Sequence, residues 1–197
     1  SLVQGFSFKK RKGSLSLDAY HTRFSQQLVA DRDTLSGAVV FKNLQDNSLA
    51  TVIQAEFSYA LLRGLDLRLA YKFQDVRALF NGVAQTQVLL PRQRIFANLG
   101  YQTRNKRWAY DLTYSRYSAV RLPQGGQGSP WGLLNAQVTR NWKALELYAG
   151  GENLLNVMQH HPIVGVQDPF GENFDATEIW SPIMGWNVYL GLRYTIK

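Results

Sequence analysis

Leu65-Asp66-Leu67-Arg68-Leu69-Ala70-Tyr71-Lys72-Phe73-Gln74 alternates without a break. One side reads Leu, Leu, Leu, Tyr, Phe, and the other Asp, Arg, Ala, Lys, Gln. Side chains of an extended strand point to opposite faces in turn, so this period of two predicts a strand with one apolar and one polar face. The C-terminal stretch repeats the pattern. Trp186, Val188, Leu190, Leu192, Tyr194 and Ile196 alternate with Asn187, Tyr189, Gly191, Arg193 and Thr195. Residues 145–150 and 108–114 do the same, and weaker versions run through 14–29, 48–61, 95–103 and 131–141. The count is about nine strands, most of roughly ten to fifteen residues, well beyond the usual five or six.

The connections alternate between short and long. Residues 10–13, 62–64, 104–107 and 141–143 read as tight turns, while 31–47, 75–91, 121–130 and 154–185 read as long loops. Tight turns on one rim and long loops on the other mark an up-and-down outer-membrane barrel. Greek-key connections of a soluble sandwich would scramble that order. Period alone does not separate the two, since the apolar face meets a core in one and lipid in the other. Trp108, Tyr117, Trp142, Trp186 and Tyr194 at strand ends favour the membrane form, where amphipathic rings collect at the interfaces.

Composition narrows the class further. The 197 residues carry 22 Lys+Arg against 14 Asp+Glu, a net charge of +8, with 10 Tyr, 10 Phe and 5 Trp. Cysteine is absent, which excludes disulfides, thiolate metal sites and a cysteine nucleophile. Mean hydropathy is −0.24. No run approaches the roughly 18 apolar residues of a spanning helix. Ser1-Leu2-Val3-Gln4-Gly5 shows no signal-peptide pattern. About nine strands would leave two unpaired edges, which hydrocarbon does not tolerate, so the expectation is part of a larger barrel.

The C-terminal half resembles the end of TonB-dependent outer-membrane receptors. The stretch Leu145-Glu146-Leu147-Tyr148-Ala149-Gly150-Gly151-Glu152-Asn153-Leu154-Leu155-Asn156 is similar to the family's penultimate strand and its Glu-Asn-Leu-Phe-Asn signature. Residues 187–197 resemble its closing Gly-x-Arg-Tyr strand. Weaker likenesses are Leu62-Arg63-Gly64-Leu65-Asp66-Leu67 and Leu90-Pro91-Arg92-Gln93-Arg94, and the segment from Asp168-Pro169-Phe170-Gly171 to Trp180-Ser181-Pro182 is similar to Bacteroidota-type receptors. Two features depart from the pattern. Ile196-Lys197 stands where the family ends on an aromatic residue, and no plug domain or TonB-contacting box is found in residues 1–197. The resemblance therefore implies an all-β, transmembrane, antiparallel barrel, of which the chain is the C-terminal part, within a wall of about 22 strands.

The implied function is TonB-driven uptake of a scarce metal chelate, a ferric siderophore or a cobalamin-like compound, through the bacterial outer membrane. Implied partners are the rest of the barrel and its plug, the TonB complex, the chelate, membrane lipid and a surface lipoprotein, with no resident cofactor and no enzymatic role. Two alternatives stay open on the residues: a self-contained small porin or barrel enzyme, and a soluble β-sandwich binding module.

Trp131, His160, His161 and Trp180 are the candidate ligand contacts, from their expected place in extracellular loops. His160-His161 alone does not complete a metal shell without Asp168, Glu172 or Asp175 folding back, so no metal site is expected. Asp66, Arg68, Lys72, Glu146, Glu152 and Arg193 are expected on the lumenal wall. Lys9-Lys10-Arg11-Lys12 reads as a solvated turn, and no nucleic-acid motif accompanies it. No Gly-x-Ser-x-Gly elbow supports hydrolysis, and Gln124-Gly125-Gly126-Gln127-Gly128 lacks the following helix that a phosphate loop needs.

Overall fold

The computed structural model describes residues 1–10, 12–33, 39–44, 47–80, 83–172 and 174–196. Arg11 of the basic tetrad and the terminal Lys197 lie outside the described residues. Fourteen strands follow one another: β1 (Leu2–Lys10), β2 (Gly13–Phe24), β3 (Leu28–Asp31), β4 (Val40–Asn43), β5 (Ser48–Leu62), β6 (Leu65–Phe80) and β7 (Val83–Thr86) come first. Then come β8 (Gln93–Gln102), β9 (Trp108–Tyr117), β10 (Val120–Arg121), β11 (Gln127–Gly128), β12 (Trp131–Trp142), β13 (Leu145–Glu152) and β14 (Asn187–Tyr194). Nine of them form one antiparallel path, β1-β2-β5-β6-β8-β9-β12-β13-β14, which is the expected count. Each wall strand pairs with its neighbour in the chain, as a meander must when short hairpin turns join antiparallel strands. Loop hairpins supply the rest: β3 pairs β4, β10 pairs β11, and β7 folds back on β6.

Register turns the alternation of each strand into a property of the whole sheet. Phe8, Leu15, Phe57, Leu69, Ala97, Tyr114 and Leu134 are successive partners across seven strands. A second apolar row runs Tyr59, Leu67, Leu99, Leu112, Ala136, Gly151, Val188. The other face is polar, with Ser14, Ser58, Arg68, Asn98, Thr113 and Asn135 in one row. A slip of one residue would exchange the faces throughout, so the pattern specifies the pairing.

Among the described residues no second layer covers the apolar face. Leu190 is 82% exposed and Phe6 60%, and the only buried apolar residues among those described are Leu44, Ala78 and Val120. A soluble domain of this length needs a core, and an apolar surface of this extent belongs against another apolar phase. The soluble sandwich is thereby overturned. All three buried apolar residues lie at the rim of the long loops, so the packed interior of the chain is in its loops.

The tight-turn rim is aromatic on the apolar face. Tyr101 stacks on Tyr110 at 6.1 Å, Trp108 on Tyr110 at 6.3 Å, and Phe57 on Tyr59 at 6.0 Å. Arg140 lies over Trp108 at 4.6 Å and Trp142 at 5.0 Å. Such a girdle is the interfacial belt of a transmembrane barrel. Tyr117 is a correction to the expectation. It shares the parity of Asp111, Thr113 and Ser115 and lies on the polar face.

Two glycine-bearing motifs have a steric explanation. The Tyr148 ring lies where a β-carbon on Gly191 would stand, and the Tyr189 ring covers Gly150 in the same way. The rings meet at 6.3 Å with a tilt of 59°. At the tight-turn rim, Gly64 takes φ +85, a conformation that side chains with a β-carbon disfavour.

Candidate functional site

The polar face deepens into a cavity of about 330 Å³ between β5, β6 and β8, lined by Gln54, Glu56, Ser58, Arg68, Lys72, Arg94 and Phe96. Three cations face one carboxylate there, and Glu56 already accepts from Gln54 Nε2 at 2.5 Å. Lys72, Arg94, Tyr117 and Trp131 are consecutive partners in register, so the cationic patch continues into an aromatic one toward the long loops. The Arg94 guanidinium sits 5.1 Å over the Tyr117 ring, and Tyr117 stacks on Trp131 at 4.0 Å. The buried Trp131 Nε1 has no hydrogen-bond acceptor among the described residues. Elsewhere this face satisfies itself. Asn98 Nδ2 donates to Asp111 Oδ2 at 2.9 Å, Tyr189 Oη donates to Gln137 at 2.8 Å, and Arg193 pairs with Glu146 at 3.2 Å.

Above this wall the long loops are tied to one another. Arg121 of β10 donates from both terminal nitrogens to Asp33, at 3.1 and 2.6 Å, and from Nε to the Thr86 carbonyl at 2.8 Å. One guanidinium thus joins three loops. Arg32 reaches the Thr177 carbonyl at 3.3 Å, which brings in the loop between β13 and β14. Inside that loop Gln159 is buried. Its Nε2 donates to the Glu178 carbonyl at 2.7 Å, and its Oε1 accepts from Trp180 N at 3.0 Å. Burial, then the neighbouring Asp175, push the Glu178 carboxyl above its ordinary value, with Arg32 opposing. An Arg121→Ala variant is expected to free the β3–β4 hairpin at a cost of about 2 kcal/mol, because a half-buried carboxylate loses its bidentate partner. Hydrogen exchange checks this, through faster exchange over 28–31 and 40–43 and unchanged exchange in the wall.

The four expected contacts separate. Trp131 is not a loop residue: in keeping with the alternation over 131–141 it is the first residue of β12, on the polar face, in register with Tyr117. Trp180 is half-buried and packs on Gly128, where an added β-carbon would lie 2.7 Å from its ring. His160 and His161 are exposed in the loop. Among the described residues no cluster of three or more His, Asp or Glu side chains is placed to hold a metal. Asp66, Arg68, Lys72, Glu146, Glu152 and Arg193 share the polar face as expected. The expected loop 75–91 is in part strand, since β6 runs on to Phe80 and β7 pairs with it.

Sequence reading missed Arg94, Tyr117, Arg121 and Gln159. The parity of Arg94 and Tyr117 within their strands was a usable signal. Arg121 and Gln159 act through loop contacts that leave no periodic trace.

A single meandering sheet with one lipid-compatible face, one polar face and an aromatic belt defines a wall segment of a transmembrane β-barrel. A family profile described as "TonB dependent receptor-like, beta-barrel" matches residues 3–154, and the chain belongs to that family of outer-membrane β-barrels, which are receptors and not enzymes. The chain is similar in fold to the copper transporter OprC, with TM-score 0.72 and 13% identity over 98% of this chain and 30% of that one. The FrpB iron transporter from Neisseria meningitidis gives TM-score 0.68 and 11% identity, over 96% and 29%. A mutant of the ferric enterobactin receptor PfeA from Pseudomonas aeruginosa gives TM-score 0.69 and 15% identity, over 98% and 30%. The chain thus spans about 30% of the length of these solved structures. No curated protein matches the sequence.

Proposed function

We propose that this chain is the C-terminal part of the wall of an outer-membrane receptor that imports a scarce metal chelate, a ferric siderophore or a cobalamin-like compound, with energy delivered through TonB to a plug in the lumen. The observation that carries the reading is the cavity lined by Arg68, Lys72 and Arg94, which leads up to Tyr117 and Trp131 beneath the joined loops. Its charge favours a chelate with net negative charge, such as a ferric catecholate, over a neutral corrin. The unpartnered Trp131 N–H suits an acceptor oxygen on such a ligand. His160, His161 and Trp180 are proposed for outer capture, the plug and the remaining strands as neighbours in the lumen wall, and a surface lipoprotein as a cap.

Ligand titration of the whole receptor in mild detergent tests this reading. Replacing Arg68, Lys72 and Arg94 together by glutamine is expected to weaken a ferric catecholate roughly tenfold or more, about 1.4 kcal/mol, while a neutral cobalamin probe is unaffected. Equal affinity of wild type and variant for the ferric catecholate would overturn it. The intact mass of the extracted native polypeptide should lie several-fold above 22.4 kDa. A native mass of 22.4 kDa would leave a small self-contained barrel instead.

A further inference from the structure

The apolar face ends abruptly on the side of the long loops. Along β6 it runs Leu65, Leu67, Leu69, Tyr71, Phe73 and then turns to Asp75 and Arg77. A tilted strand crosses the hydrocarbon in about 9–11 residues, so a run beginning at Leu65 brings Asp75 and Arg77 to headgroup depth. Two other strands of the wall change at the same level. On β2 the face passes from Leu15, Leu17 and Ala19 to His21 and Arg23, and on β9 from Tyr110, Leu112 and Tyr114 to Arg116. Arg23, Leu49 and Arg77 are consecutive partners in register, which puts both guanidiniums in one outward row. Arg92 precedes β8 and lies 5.6 Å over the outward Phe73 ring.

The balance of charge in this belt is one-sided. Asp75 is paired with Arg77 at 2.7 Å and with Arg92 at 3.3 Å. Arg23 and Arg116 are exposed and have no carboxylate partner among the described residues. The outward cations at the opposite rim are held differently: Arg140 is folded over two tryptophan rings and Lys10 lies 5.6 Å over the Phe8 ring. Guanidinium groups match phosphate oxygens in a bidentate fork and are weakly hydrated, which suits a site half in water.

We propose that Arg23, Arg77, Arg92 and Arg116 form a docking belt for phosphate-bearing headgroups of the outer-leaflet lipids. Arg77 and Arg92 are held in place by Asp75, and Arg23 and Arg116 present their free forks on either side. The belt rests on the outer-membrane placement proposed above, with the long loops outside.

The test uses the whole receptor in mild detergent and native mass spectrometry after a delipidating wash. The probes are lipid A with both phosphates, the same lipid with its phosphates removed, and inorganic phosphate. Wild type is expected to retain the phosphorylated lipid and shed the dephosphorylated one. The R23Q/R77Q/R92Q/R116Q variant is expected to lose retention roughly tenfold or more, and a K10Q/R140Q control at the other rim to keep it. If the quadruple variant fails to fold, R23Q and R116Q carry the test singly, since neither breaks an ion pair. Equal retention of the two lipids, equal loss in the rim control, or binding of inorganic phosphate without lipid would overturn the belt. Insertion of the wild type into vesicles is scored separately, so failure there strikes the membrane placement and not the arginines.

Discussion

The Asn153→Ala variant is expected to release the loop between β13 and β14 and to lose roughly 3–5 kcal/mol. Asn153 is 6% exposed and adopts φ 51, a left-handed conformation that asparagine tolerates better than alanine. Its Nδ2 donates to the Val157 carbonyl at 2.8 Å and to the Met184 carbonyl at 3.0 Å, while its Oδ1 accepts from Val157 N at 3.0 Å. Its backbone N–H donates to Asn135 Oδ1 at 2.9 Å, which fastens the turn to the polar face of β12. Both ends of the loop thus meet in one amide. Alanine would leave three part-buried backbone groups without these partners, each costing about 1 kcal/mol or more. Heat-modifiable electrophoresis and protease cleavage between residues 157 and 184 measure the effect. Melting and cleavage identical to wild type would show that the loop holds without its anchor.

The second large effect is expected at Gly191. Valine ordinarily favours a strand, so a neutral site would gain stability from Gly191→Val. Here the Tyr148 ring occupies the space that the new side chain needs, and we expect a loss of about 2–3 kcal/mol. The displaced ring would also press on Tyr189, whose hydroxyl donates to Gln137. Adding Tyr148→Ala should recover most of the loss, because the clash is then gone. A double-mutant cycle measures the coupling, and additive effects would dismiss the ring as the cause.

The wall was legible in the sequence because its physics is local. Two-residue alternation in 65–74 and 187–196 sets the faces, and the contrast between tight turns and long connections sets the meander. The cap was not legible for the opposite reason. Asp33 and Arg121 lie 88 residues apart, and nothing near either one announces the other. β3, β4, β10 and β11 are two to four residues long, too short for a periodic signal. Trp131 was legible as the start of a strand in the alternation over 131–141, and its pairing with Tyr117 sets it on the polar face and not in a loop. The Glu152-Asn153-Leu154-Leu155-Asn156 motif was noticed as a signature, and the structure supplies its reason. Asn153 and Asn156 both take left-handed backbone, at φ 51 and 53, and both bind the far end of the loop, Asn156 through Trp186 N at 3.2 Å.

The joined loops also bear on how loops can be exchanged between such proteins. Because Arg121 serves Asp33 and Thr86 at once, and Arg32 answers to Thr177, no one loop is an independent cassette. A graft of a single loop from a relative would arrive without its counterparts and strand a charge on the recipient. Transplanting these loops is therefore expected to succeed only as a matched set, with the wall left as it is.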